Sequence, residues 1–153
     1  MGYPDFRAGM KLKASHLRAM QMNRVVQGSD QTRTSSTSNL STNLIIPVES
    51  NAVYRYTLLL AYSCGQGDFQ GLWDVPSGTS MQRHGDGMAA TATGSQTAYT
   101  EAFSAQGSAT TAFNIGGNTS SIAQICSFVE QGYIETAGSS GDVTYQFTQR
   151  LSS

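Results

Sequence analysis

Asn51-Ala52-Val53-Tyr54-Arg55-Tyr56-Thr57-Leu58-Leu59-Leu60-Ala61-Tyr62-Ser63 decides the fold, because its side chains sort cleanly with a period of two. Tyr54, Tyr56, Leu58, Leu60 and Tyr62 fall on one face, and Val53, Arg55, Thr57, Leu59 and Ala61 on the other. A helix would scatter Arg55 and Thr57 among the aromatics, so the segment is a half-buried β-strand. Its second face is only partly polar, and Val53, Leu59 and Ala61 ask for a cover that a second chain could supply.

The same reading extends on both sides. Leu44 to Val48 reads as a strand that Pro47 either breaks or places at a sheet edge, and Glu49-Ser50-Asn51 turns it back into an antiparallel hairpin with the 51–63 strand. Asp68 to Val75 is a strand with Phe69, Gly71, Trp73 and Val75 on one face. Pro76-Ser77-Gly78 closes it, Thr79 to Arg83 follows as a short strand, and His84-Gly85-Asp86-Gly87 reads as a loop. Between Met88 and Ser121 small residues leave register weakly specified, with strands near Gln96 to Phe103 and Ala109 to Ile115. Ile122 to Glu130, Tyr133 to Thr136 and Val143 to Leu151 complete the series. This pattern predicts an all-β, antiparallel, jelly-roll-like β-sandwich over residues 44–153.

Residues 1–43 differ in kind. Pro4 and Gly9 exclude regular structure from Met1 to Met10, where Tyr3 and Phe6 are the apolar anchors. Residues 14–27 predict a short amphipathic helix with Leu17, Met20, Arg24, Val25 and Val26 along one stripe and Gly28 at its C-terminal end. The Ser/Thr-rich stretch from Ser29 to Asn43 is a linker or an edge strand. Charge divides at the same place. Within the first 33 residues Arg7, Lys11, Lys13, Arg18, Arg24 and Arg33 face Asp5 and Asp30, a net of +4, while the remainder carries −5. A basic arm on an acidic body suits docking to another acidic body, including a copy of itself. Nucleic acid is the weaker candidate, since six separated charges without interleaved aromatics do not form a phosphate-binding cluster.

Composition and motifs argue against chemistry. Charged residues make up 12% of the 153, about half the usual share, with Ser, Thr, Gly and Ala in their place, as in β-rich assembly proteins. No stretch reaches the length of a membrane-spanning helix, and no apolar signal segment follows the first charges. His16, His84, Cys64 and Cys126 lack metal-ligand spacing, and no nucleophile elbow or phosphate-binding glycine motif occurs. No cofactor, metal or catalytic residue is expected, and the cysteines read as free thiols. Asp68, Asp74, His84 and Asp86 form the best enzyme-like group, read more simply as edge acids that keep a sheet soluble. Trp73 with Tyr54 and Tyr56 is the one candidate ligand platform, in which case the chain would be a carbohydrate-binding module.

Four blocks carry a resemblance. They are Phe6-Arg7-Ala8-Gly9 followed by Leu12 and a helix holding Leu17 and Met20; Val48-Glu49-Ser50-Asn51-Ala52-Val53-Tyr54; Asp68 with Trp73-Asp74-Val75-Pro76-Ser77-Gly78; and Gly141 through Leu151. Together they resemble small virion structural proteins, capsid decoration or minor tail, of tailed phages infecting actinobacteria. The resemblance implies a multimeric, non-enzymatic virion component assembled in the bacterial host cytoplasm. Its expected partners are further copies of itself, with a homotrimer preferred, and the major capsid protein or tail proteins of the same particle. Phe6, Arg7, Leu17, Arg18, Met20, Arg24, Val25 and Val26 are the expected docking residues.

Overall fold

Two-residue periodicity sets the strands, and the strands assort into two antiparallel sheets. The computed structural model describes residues 22–34, 36–63, 69–87, 101–103, 109–116 and 125–149, with backbone alone at 101–103. Along the chain the strands are β1 (Leu40–Val48), β2 (Val53–Tyr62), β3 (Phe69–Asp74), β4 (Ser80–Gly87), β5 (Glu101–Phe103), β6 (Phe113–Ile115), β7 (Cys126–Glu135) and β8 (Gly141–Gln149). One sheet has the order β1-β8-β3-β6 and the other β2-β7-β4-β5. Their apolar faces meet in a shared core, giving a β-sandwich-like body.

The core follows from the alternation. β2 buries Tyr56 and Leu58 and leaves Val53, Arg55, Thr57, Leu59 and Ala61 outside. Tyr56 and Leu58 meet Trp73 of β3, Met81 of β4, Ile134 of β7, and Val143 and Tyr145 of β8. A second cluster, Phe113, Ile115 and Phe128, fills the other end of the space between the sheets. β2 and β7 stay in register over their whole length, from Val53 opposite Glu135 to Tyr62 opposite Cys126.

Three expectations change. Leu44 to Val48 lies in β1, which pairs with β8, so it forms no hairpin with β2. Asn51 adopts a left-handed φ of 53° and donates its N–H to Ala137 O at 2.7 Å, carrying the chain from one sheet to the other. Thr136 fixes the crossing: its hydroxyl accepts the Ala52 N–H at 2.9 Å, and its own N–H donates to Ala52 O at 2.9 Å. His84 to Gly87 is strand, not loop. Gly85 faces inward, and the Phe128 ring lies 2.6 Å from where a Cβ would stand, so the missing side chain makes room for the phenyl group.

The third change concerns the helix expected over 14–27. Residues 1–21 lie outside the described residues, and Met22 to Gln27 has no helical structure. The β-branched Val25 and Val26 disfavour a final helical turn. The Gln27 amide instead donates to Ser29 O at 3.0 Å and accepts the Asn43 N–H at 2.9 Å. Further along, Ser36 O accepts from the Thr148 hydroxyl and the Ser36 N–H donates to Gln149 Oε1. The segment thus lies against β1 and β8, and this cover explains why Thr148 is buried on the outward parity of its strand.

Candidate functional site

The deepest polar chemistry is an ion pair inside the core. Arg83 follows Met81 on the inward parity of β4, and Glu130 follows Cys126 and Phe128 on that of β7. Arg83 Nε donates to Glu130 Oε1 and Arg83 Nη2 to Oε2, both at 2.8 Å, in the bidentate arrangement that matches guanidinium to carboxylate. Glu130 Oε1 also accepts from Tyr56 Oη at 2.6 Å and Trp73 Nε1 at 2.8 Å. The remaining guanidinium hydrogens reach Thr111 O and Gly71 O, and the guanidinium carbon sits 3.9 Å over the Phe113 ring. Four strands from both sheets therefore converge on one carboxylate.

Burial gives this cluster its electrostatics. Tyr56 is held protonated far above the ordinary phenol range, first by desolvation and then by the Glu130 charge, with Arg83 opposing. Desolvation and the same carboxylate push Tyr145 well upward. Tyr145 stacks edge-on against Trp73 with centroids 5.0 Å apart, yet its hydroxyl is buried without a partner among the described residues. Gly71 exists for this ring: a Cβ there would collide with the Tyr145 hydroxyl. With Glu130 fully buried, the cluster clamps the two sheets together and presents no face to a ligand.

The surface carries a second arrangement. On the outer face of the β2-β7-β4 sheet, Arg55, Tyr133 and Gln82 form one row, and Val53, Glu135 and Ser80 the next. Val53, Ser80, Gln82, Tyr133 and Glu135 line a shallow depression of about 220 Å³. Tyr133 is 50% exposed there. Arg55, Ser80, Gln82 and Glu135 commit no side chain to a hydrogen bond or ion pair among the described residues. Toward the opposite end of the same face, Leu59 is 73% exposed with Ala61 and Val129 beside it, and Ile125, just before β7, is 78% exposed.

The residues expected from the sequence are dispersed. Phe6, Arg7, Leu17, Arg18 and Met20 lie outside the described residues, while Arg24, Val25 and Val26 are exposed on the non-helical segment. Trp73 and Tyr56 are core residues at 2% and 8% exposure, so with Tyr54 half-buried they offer no open stacking platform. Tyr54 Oη instead accepts the Glu49 N–H at 2.8 Å. Asp68 lies outside the described residues. Asp74 projects from one sheet, whereas His84 and Asp86, 3.7 Å apart and exposed, project from the other. Among the described residues no three His, Cys, Asp or Glu side chains converge on a point that could hold a metal, and Cys126 is a buried free thiol.

Arg83, Glu130 and Tyr133 were the residues missed. The first two carried a readable signal, a charge at an inward position of an otherwise apolar alternation. Tyr133 gave none, because a lone aromatic on a strand is ordinarily core. Comparison with protein families, with curated proteins and with solved structures gives no match for this chain.

Proposed function

We propose that this chain is a non-enzymatic virion structural protein, a capsid decoration protein that assembles as a homotrimer and binds the finished shell through its N-terminal arm. The strand orders β1-β8-β3-β6 and β2-β7-β4-β5, with nearly every connection crossing from one sheet to the other, support a jelly-roll reading of the sandwich, the two interleaved Greek keys used by capsid domains.

The observation that carries the assembly reading is the apolar patch of Leu59 and Ala61 of β2 and Val129 of β7, with Ile125 exposed just before β7. Large aliphatic side chains grouped at one end of an exposed sheet mark a contact surface. The basic arm supports the second half of the reading. Its net +4 contrasts with a body whose exposed charges are mostly acidic, including Glu49, Asp74, Asp86, Glu135 and Asp142.

Light scattering on the full chain tests the oligomer: the wild type is expected to be a trimer and a Leu59→Lys, Ile125→Lys variant a monomer. A wild-type monomer at high micromolar concentration refutes it. Labelled protein should lie on the heads of particles, and Arg18→Glu with Arg24→Glu should weaken attachment more as salt is lowered. Label confined to tails would replace the capsid assignment with a minor tail role.

A further inference from the structure

We infer that the depression on the outer face of β2, β7 and β4 is a binding site for one ring of a neutral saccharide, stacked on Tyr133. The geometry is set by the sheet. Same-face neighbours along a strand stand about 7 Å apart and adjacent strands about 5 Å apart, so the two rows of three residues frame a patch of roughly 7 by 10 Å. That is the footprint of a single pyranose. The volume of about 220 Å³ agrees, since sites that enclose larger ligands run to roughly 300–1,000 Å³.

Each side chain has a part in this recognition. The half-exposed Tyr133 ring offers an apolar face to the C–H face of a sugar, and Val53 extends that surface. Around it stand a carboxylate, an amide and a hydroxyl, Glu135, Gln82 and Ser80, whose side chains are unpaired among the described residues. Vicinal sugar hydroxyls both donate and accept, and can satisfy all three groups. Charge selects a neutral ligand. Arg55 stands directly across from Tyr133 on one side, and Glu135 is the next outward residue on the strand of Tyr133 itself. Arg55 and Glu135 together leave the patch without net charge, so neither a cation nor an anion gains a net attraction, while an uncharged polyol can bond to both groups.

A second copy is the poorer occupant. The apolar patch around Leu59 lies six residues along β2 from Val53, about 20 Å away. The rows around Tyr133 carry two charges and two neutral hydrogen-bonding groups, which oligomer contacts tend to exclude from their centres. The inference therefore concerns a surface separate from the proposed trimer contact and does not rest on it.

The test is an amide-shift NMR titration of the full chain with glucose, galactose, mannose, N-acetylglucosamine and N-acetylgalactosamine, each as its methyl glycoside. At least one should give saturable shifts at Val53, Gln82, Tyr133 and Glu135, with a dissociation constant in the millimolar range. Tyr133→Ala should weaken that binding roughly tenfold or more, and Tyr133→Phe should retain it. Leu59→Lys should change the oligomer and leave sugar binding intact. Thermal melts of Tyr133→Ala verify its fold, and Gln82→Ala, with the ring kept, should also weaken binding. Absence of saturable shifts from all five glycosides overturns the inference, as does undiminished binding in Tyr133→Ala. Shifts at these amides that follow protein concentration without sugar overturn it too, and assign the depression to a second copy.

Discussion

Glu130 receives hydrogen bonds from Tyr56, Trp73 and Arg83 in the core, and altering this cluster or the Tyr145 phenol beside it has consequences that differ in sign. Glu130→Gln leaves the Arg83 guanidinium buried without its counter-charge, and breaking such a pair costs about 3–5 kcal/mol. Urea unfolding of the variant should report a loss of that size. Tyr56→Phe removes a donor to a charged group and should cost about 1.5–3 kcal/mol. Tyr145→Phe should do the opposite. Its hydroxyl is buried with no partner among the described residues, so removing it relieves a desolvation penalty of about 1–3 kcal/mol. The midpoint of unfolding should stay unchanged or rise. These phenols also set an alkaline limit. Both are shifted above the ordinary value of 10.0 in the fold, so the unfolded chain releases their protons first. Stability is complete below that value and falls as pH rises through it, by about 1.4 kcal/mol per pH unit for each group. Circular dichroism across pH 9 to 12 should show unfolding that Tyr145→Phe delays.

At the scale of elements, β4 and β7 depend on a large residue filling the space that small ones leave. Gly85 and Gly87 stand over Phe128, whose ring atoms lie 2.6 and 2.8 Å from their respective Cβ positions. Gly85→Ala overpacks this contact and should cost about 1–3 kcal/mol. Combining it with Phe128→Leu should recover part of the loss, giving a coupling energy measurable in a double-mutant cycle. A merely weak strand at Gly85 would instead be strengthened by alanine. The edge strands β1 and β2 also differ. β1 contains Pro47, a register shift between Ser41 and Ile45, and the Gln27 contact at Asn43, all of which discourage pairing with another chain. β2 lacks these devices, in keeping with its position beside the proposed subunit contact.

For the whole molecule, the question is how much the segment before β1 contributes to the body. Gln27 makes two hydrogen bonds near the surface, so deleting residues 1–28 should lower stability by roughly 1–2 kcal/mol and leave the sandwich folded. Extending the deletion through Ser38 removes the cover over Thr148 and the Ser36 bond to Gln149, and should cost visibly more in a thermal melt. If the shorter deletion abolished folding, the segment would be an integral part of the body, not an arm.

Local side-chain chemistry made the β class, the inward face of β2 and the inward positions of β3 and β8 readable, because a period of two is a property of the strand alone. Pro47, lacking an N–H, pointed to a break or an edge, and the structure places it in the unbroken edge strand β1. The partner of each strand was decided elsewhere. Leu44 to Val48 and Val53 to Tyr62 look like a hairpin in sequence, yet Asn51 and Thr136 send them to different sheets, a choice fixed by contacts with residues more than eighty positions away. Gly85 and Gly87 read as loop until Phe128 is seen to occupy their side-chain space. The meeting of Arg83 with Glu130, and of Tyr133 with Gln82 and Glu135, likewise required the register of β4 on β7. Periodicity tells a residue which face it occupies, and only the folded sheet tells it which neighbours share that face.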